Sequence, residues 1–275
     1  FTFIAMGDED ISPIQPLAQG PVVRWFNEED VASNEAVTYA LSQCSVVTTE
    51  RENVPPALLD LVTTVAVLRP NAKALTAFSR RDNERQALTQ LGLPVAPHAI
   101  AANAEQLSAC ARSVGFPQIW KTTCDGYDGR GQWQIREEAQ LGSVDIPAAA
   151  FPLLIERRIN FTRELAITAV RGTTGEIRYY PLSENHHLQG ILVSALAPAQ
   201  IDAQLEHTAQ TWAARLLDGL DYVGVLTIEM FETADGLLIN EIAPRVHNSA
   251  HWTLGGALTS QFENHLRAVV GMPLG

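Results

Sequence analysis

Glu229 and Glu241 stand on two apolar runs, residues 225–231 (VLTIEMF) and 237–243 (LLINEIA), which flank Ala234-Asp235-Gly236. That spacing predicts a hairpin with a three-residue loop and Gly in the left-handed position. Pairing symmetric about Asp235 places Glu229 directly across from Glu241, with Cβ atoms ~5 Å apart. Two bare carboxylates at ~5 Å repel by about 3 kcal/mol at an effective dielectric near 20, so the pair calls for a counter-ion. Oxygen ligands and a bidentate carboxylate suit Mg2+, which ordinarily takes further oxygens from nucleotide phosphates. The alternative is a pair of solvated glutamates at a sheet edge.

Three other clusters carry possible chemistry. Lys121 ends the short run Ile119-Trp120-Lys121 and precedes Asp125-Gly126-Tyr127-Asp128-Gly129-Arg130-Gly131-Gln132. Glycines free backbone N–H groups to face an anion and the ammonium adds a point charge, which suits phosphate. No GK[ST] follows, so this is not a Walker A loop, and an ordinary glycine-rich hairpin remains the alternative. Glu156 ends an apolar run and Glu164 follows eight residues later. These acids could hold a nucleoside edge or could pair with Arg157, Arg158 or Arg163. Arg245, His247, Asn248 and Ser249 follow the second glutamate run and read as a polar pocket for a small anion, or else as a hydrogen-bonded turn. His186-His187 have no partner at helical spacing for zinc, although one could touch a phosphate. Arg80-Arg81 reads as a solvated helix start or a nucleotide clamp, and Glu50 and Glu52 read as surface acids. No GxSxG or HExxH is present to support a triad hydrolase or a zinc protease.

The elements that must position these groups are mixed. Strands are expected over residues 1–6 and 45–49 and helices over 34–41 and 56–62. A helix over 81–91 carries Ala87, Leu88 and Leu91 on one stripe, with Gly92 as its stop. Leu93-Pro94-Val95-Ala96-Pro97 cannot continue it, so a new unit begins there. Residues 94–150 then read as a small α+β subdomain, with a helix over 104–114 and strands over 119–121 and 132–135. Further strands are expected over 152–156, 163–170, 176–181 and 191–196, and an amphipathic helix over 204–217 precedes the glutamate hairpin. Three consecutive mixed blocks favour a multi-lobed α/β enzyme over a binding module.

The chain has 275 residues, 46% hydrophobic and 18% charged, with a formal charge of −12. That is globular composition with no basic excess for nucleic acid or an anionic membrane. Cys44, Cys110 and Cys124 are odd in number and far apart, which points to a reducing cytoplasm rather than disulfide stapling. No apolar run approaches the ~20 residues that span a bilayer, and the opening lacks the basic segment of a signal peptide.

The order GFPxxxK, glycine loop, glutamate-bearing strand and paired Glu and Asn-Glu strands resembles the ATP-grasp superfamily. More narrowly, Gly126–Gln132 together with Asn240-Glu241-Ile242-Ala243-Pro244-Arg245-Val246-His247-Asn248-Ser249 is similar to the 5-(carboxyamino)imidazole ribonucleotide synthase family of purine synthesis. Thr49–Val54, Ile159-Asn160-Phe161 and Glu184-Asn185 support the likeness, which runs through essentially the whole chain. The resemblance implies an α/β ATP-grasp fold. It comprises a partial Rossmann-like N-terminal domain over 1–90, a lid subdomain over 91–152 and a larger α+β core domain over 153–275.

The resemblance also implies roles. Arg81, Lys121, Gln132 and the loop containing Gly126 and Gly129 would hold ATP phosphates; Glu156 and Glu164 would meet the adenosine end and His187 the phosphate region. Glu229 and Glu241 would chelate Mg2+, with Asn240 beside them in the ATP site. Tyr127, Asp128, Arg245, His247, Asn248 and Ser249 would face aminoimidazole ribonucleotide and bicarbonate, with Lys121, Arg245, Tyr127 and Asp128 taking part in catalysis. A homodimer is the family's usual assembly. Against the family pattern, the chain lacks the opening GxGQLG turn and a region beyond residue 275, and Thr123, Asp125 and Ala250 depart from the usual residues. Two alternatives stay open: a relative that activates another small acid, such as formate on glycinamide ribonucleotide, and a catalytically silent nucleotide-binding module.

Overall fold

The computed structural model describes residues 5–7, 18, 22–24, 34–124 and 131–275. Near the N-terminus, strands Ala5–Gly7 (β1) and Val22–Arg24 (β2) pair in parallel. Helices Glu35–Ser42 (α1) and Pro56–Val65 (α2) follow. Residues 45–49, expected as a strand, supply only one parallel bridge, Val47 to Leu68. Helices Ala72–Phe78 (α3) and Arg81–Gln90 (α4) come next. Gly92 at φ +63° stops α4 as the sequence predicts, since only Gly enters that region without strain.

A four-stranded antiparallel sheet holds Lys121 and Glu156. Its order is His98–Ala101 (β3), Leu153–Arg157 (β6), Gln118–Thr122 (β4), Gln132–Ile135 (β5). Helix Ala104–Val114 (α5) starts on Asn103, whose side chain accepts from the Gln106 N–H, a normal N-cap. Ala111 and Val114 of α5 pack with Trp120, Ile135 and Ile155 in a core private to this sheet.

The main sheet has the order Ile191–Leu196 (β10), Ser183–Leu188 (β9), Arg163–Arg171 (β7), Gly224–Thr233 (β11), Gly236–Ala243 (β12), with Ile177–Tyr179 (β8) also on β7. Side chains alternate between its faces. Leu165, Ile167, Ala169, Leu226, Ile228 and Met230 point one way. They meet Ala209, Ala213, Leu216 and Leu217 of helix Ala203–Gly219 (α6), with Leu88 of α4 and Phe78 of α3. On the other face Val170 and Val225 pack against Ala268 of helix Gln261–Val270 (α7). The next residues along that face, Thr168 and Thr227, then Ala166 and Glu229, then Glu164 and Phe231, are cross-strand neighbours. That half of the sheet carries Glu164 and Glu229 on one face.

β9 was not expected as a strand, because SENHHL has no apolar alternation. Its side chains Ser183, Asn185 and His187 share the sheet face of Glu164 and Glu229, where they meet polar partners. The β9–β10 turn uses Gln189 (φ 54°) and Gly190 (φ 82°), the positive pair of a type I′ turn.

The glutamate hairpin differs from expectation in one respect. Thr233 pairs with Gly236, so the loop is Ala234-Asp235 alone, and a one-residue register shift lies between Glu229 and Met230. Asn240 is the extra residue. The shorter loop and this bulge offset one another, so Glu229 still stands opposite Glu241. Among the described residues, no helix is long and apolar enough to cross a membrane.

Candidate functional site

Glu229 is held and Glu241 is open. The Glu229 Oε1 atom accepts from Ser249 Oγ (2.8 Å) and Asn185 Nδ2 (3.4 Å), and His247 Nδ1 lies 3.8 Å away. Asn185 Nδ2 also donates to Ser249 Oγ at 2.8 Å, and Ser183 Oγ meets Asn185 Oδ1 at 3.0 Å. All described neighbours of Glu229 therefore converge on one oxygen. Glu241 is exposed on the wall of the cleft. Two hard carboxylates on adjacent strands, one of them fixed by neutral donors, fit Mg2+ that completes its shell from phosphate and water. Asn240, exposed in part, sits beside them.

Glu164 lies two residues from Ala166, which pairs with Glu229, so both acids share a face. Its Oε2 contacts His187 Nδ1 across the β7–β9 ladder. That hydrogen bond raises the His187 pKa against the opposing effect of burial, with Glu229 and Glu241 adding to the rise. His187, with its protonated form favoured by Glu164 and on the face that carries Glu229, suits a phosphate.

Lys121 and Glu156 come from neighbouring strands of the smaller sheet. Lys121 Nζ donates to Glu156 Oε2 at 2.7 Å, while Arg85 Nε donates to Glu156 Oε1 at 2.6 Å. Burial pushes the Glu156 carboxyl up, but Lys121 and Arg85 reverse this and hold it far below the usual range. The alternatives Arg157 and Arg158 do not pair with it; the cations that do, Lys121 and Arg85, are 35 and 71 residues away. Arg85 also touches Glu84 Oε1, whose second oxygen accepts the Ile242 N–H at 3.1 Å. Burial pushes Glu84 up to about 7, Arg85 opposes this, and Glu241 adds to it.

Two clefts meet here. One is lined by Arg81, Lys121, Thr123, Asn240, Glu241 and Glu52. The other is lined by Lys121, Glu156, Ile159, Ile239 and the stacked rings of Phe161 and Phe231, 4.5 Å apart and 8° from parallel. An apolar slot ending in a lysine, continuous with a polar trough, suits a base joined to phosphates. Arg81 donates to the Thr122 carbonyl at 2.9 Å. Gln132 opposes Lys121 across β4–β5 and is exposed. Gly126, Tyr127, Asp128 and Gly129 lie outside the described residues, as does Asp125.

Arg245 is half-buried and bidentate to Glu52, with Nε–Oε2 at 2.5 Å and Nη2–Oε1 at 3.3 Å. Burial pushes Glu52 up, but Arg245 overrides it and holds the acid below its usual range. Glu50 is the solvated surface acid the sequence predicts; Glu52 is not, and forms part of the cleft wall. His247 is held below its ordinary pKa by burial and by Arg245, against the pull of Glu229. Its backbone is fixed in both directions by the Gln261 amide. Ser249 is buried and Asn248 exposed. Sequence reasoning missed Glu84, Arg85, Asn185 and Gln261, all polar residues nine-tenths or more buried, and misjudged Glu52. Only the Glu184-Asn185 pair carried a signal, through the family likeness.

Comparison with known proteins identifies the family. Residues 86–262 match the ATP-grasp domain family. The chain is 40% identical over 246 residues to the N5-carboxyaminoimidazole ribonucleotide synthase of Pseudomonas aeruginosa, covering 90% of this chain and 68% of that protein. A solved ADP complex of an N5-carboxyaminoimidazole ribonucleotide synthetase superposes with a TM-score of 0.90 and 34% identity, over 100% of this chain and 72% of the other. The Aspergillus clavatus synthase in complex with ADP and 5-aminoimidazole ribonucleotide superposes at a TM-score of 0.84 with 27% identity, over 98% and 70%. The chain belongs to the ATP-grasp superfamily and, within it, to the N5-carboxyaminoimidazole ribonucleotide synthases.

Proposed function

We propose that this chain is an ATP-dependent carbon–nitrogen ligase that carboxylates 5-aminoimidazole ribonucleotide with bicarbonate in purine synthesis. The observation that carries the reading is Glu229 opposite Glu241, with Glu241 and Lys121 lining one cleft, Ser249 bonded to Glu229 and Arg245 bonded to the cleft residue Glu52. The adenine occupies the slot closed by Phe161 and Phe231, with Glu156 and Glu164 toward the nucleoside. The phosphates run past Lys121, Arg81, Gln132 and His187 toward the glutamate pair.

A bicarbonate oxygen attacks the γ-phosphorus, the bond to the β-phosphate oxygen breaks, and ADP leaves with carboxyphosphate formed. The exocyclic amine of the ribonucleotide then attacks the carboxyl carbon of carboxyphosphate, or of the CO2 it releases. Inorganic phosphate departs and the amine loses a proton. Glu229 and Glu241 would hold Mg2+, with Asn240 beside them, and the bound ion would supply charge neutralisation for the transferring group. Lys121, which lines the same cleft as Glu241, neutralises charge on the transferring group, and its bond to Glu156 keeps the ammonium aimed. Arg245, His247, Asn248 and Ser249, with Tyr127 and Asp128, receive the ribonucleotide and bicarbonate; Arg245 is presented as a planar donor fixed by Glu52.

Three divisions of the chain, 1–90, 91–152 and 153–275, serve as N-terminal, lid and core domains. A cytoplasmic homodimer acting on soluble metabolites, without nucleic acid or membrane, completes the reading. Bicarbonate labelled with oxygen-18 tests the route. One labelled oxygen per inorganic phosphate, only when the ribonucleotide is present, is the expected result; unlabelled phosphate would overturn the carboxyphosphate step.

A further inference from the structure

Helix α4 carries two adjacent charged residues on its buried face. Glu84 is 4% exposed and Arg85 3%, and groups of this kind are almost never so buried unless paired. A buried ion pair is weak evidence of stabilisation, since apolar residues of similar volume often do as well. What these two hold is more informative. Arg85 Nη2 donates to the Asn240 carbonyl at 2.7 Å, and Glu84 Oε2 accepts from the Ile242 N–H at 3.1 Å. Glu241 is the residue between them. The register shift leaves Asn240 without a partner residue on β11, so its carbonyl must find a donor elsewhere. Arg85 is that donor, from a helix 155 residues earlier in the chain. The third arm of Arg85 reaches Glu156 Oε1, whose other oxygen holds Lys121.

We propose that Glu84 and Arg85 are positioning residues for nucleotide-bound metal, clamping the bulge on both sides of Glu241 while setting Lys121 through Glu156. This rests on the reading of Glu229 and Glu241 as the metal pair. The freedom that remains to a bulged strand is which residue is the extra one, and moving it by one position turns the side chain at 241 to the opposite face. The clamp removes that freedom at the position where Glu241 must face Glu229. One guanidinium thereby couples the metal carboxylate to the phosphate-facing lysine. A lysine at position 85 would supply charge but not the planar fork that meets Glu84, Glu156 and Asn240 together.

The test measures Mn2+ binding to the ADP complex, from the electron paramagnetic signal of free Mn2+, in the wild type, Glu84→Leu, Arg85→Met, Glu84→Gln, Arg85→Lys and Glu241→Gln. ADP affinity without metal and the thermal midpoint are recorded for each. We expect Glu84→Leu and Arg85→Met to weaken Mn2+ binding tenfold or more, Glu84→Leu with metal-free ADP affinity changed less than threefold and Arg85→Met with ADP affinity also reduced, because it frees Glu156 and Lys121 as well. Arg85→Lys and Glu84→Gln should fall between these and the wild type, and they carry the test if the larger changes prevent folding. Wild-type Mn2+ affinity in folded Glu84 and Arg85 variants, with Glu241→Gln impaired, would overturn the clamp and leave the metal pair standing. Wild-type affinity in Glu241→Gln would overturn the metal pair itself, and the clamp with it.

Discussion

Glu241 has an exposed carboxylate with no hydrogen bond described for it, whereas Glu229 is fixed through Ser249 and Asn185. The two acids should therefore respond differently to substitution. Glu241→Gln is expected to lower ATP turnover by about 100-fold or more, the scale of losing one charge-stabilising group. Stability should stay within about 0.5 kcal/mol, as for other exposed positions. ADP release and thermal unfolding of one preparation check both. Ser249→Ala leaves a buried amide and a carboxylate short of a partner, a loss of ~1–3 kcal/mol. It should reduce kcat/KM by roughly 10- to 100-fold, with unchanged kcat/KM contradicting the role of Ser249. The glutamate pair was legible because acids are conspicuous in apolar runs. Glu52, Glu84 and Arg85 were not, since in sequence they look like any charged residues of a solvated turn or helix. Their partners lie 193, 158 and 155 residues away, beyond any local pattern.

At the scale of elements, the hairpin reached the expected pairing by an unexpected path, a two-residue loop plus a bulge at Asn240. Amphipathic helices and apolar strands were readable from their periods; α4, α5, α6, β7, β11 and β12 fall within a few residues of expectation. β9 was not, because a strand whose inward residues are polar lacks the alternating pattern, and the strand expected over 45–49 is reduced to the single bridge at Val47. Gly131 marks the base of the glycine-rich segment at φ +64°, where an added Cβ would lie 2.6 Å from Thr122 Oγ1. Gly131→Ala should strain β4 against β5 by about 1 kcal/mol or more and move Lys121, which pairs with Gln132 in the same ladder. A raised KM for ATP is expected, and an unchanged KM would separate this glycine from the phosphate site.

Over the whole molecule, His265 ties the N-terminal part to the core. Its Nδ1 accepts the Val225 N–H at 3.1 Å, and Nε2 lies 2.8 Å from Thr48 Oγ1. Burial lowers its pKa to about 4, so the folded state keeps the ring neutral. Above pH ~6.5 both folded and unfolded states are neutral and the group adds no pH dependence. Between about 6.5 and 4 the unfolded chain binds an extra proton, and stability falls by about 1.4 kcal/mol per pH unit as pH drops. Urea unfolding at several pH values should show this slope, and His265→Gln should flatten it. The assembled cleft makes a larger claim, that ATP cleavage waits for the ribonucleotide. ADP release from Mg2+-ATP and bicarbonate, measured with and without 5-aminoimidazole ribonucleotide, tests it most directly. Release stimulated strongly by the ribonucleotide is the predicted result; release at the same rate without it would contradict the assigned reaction.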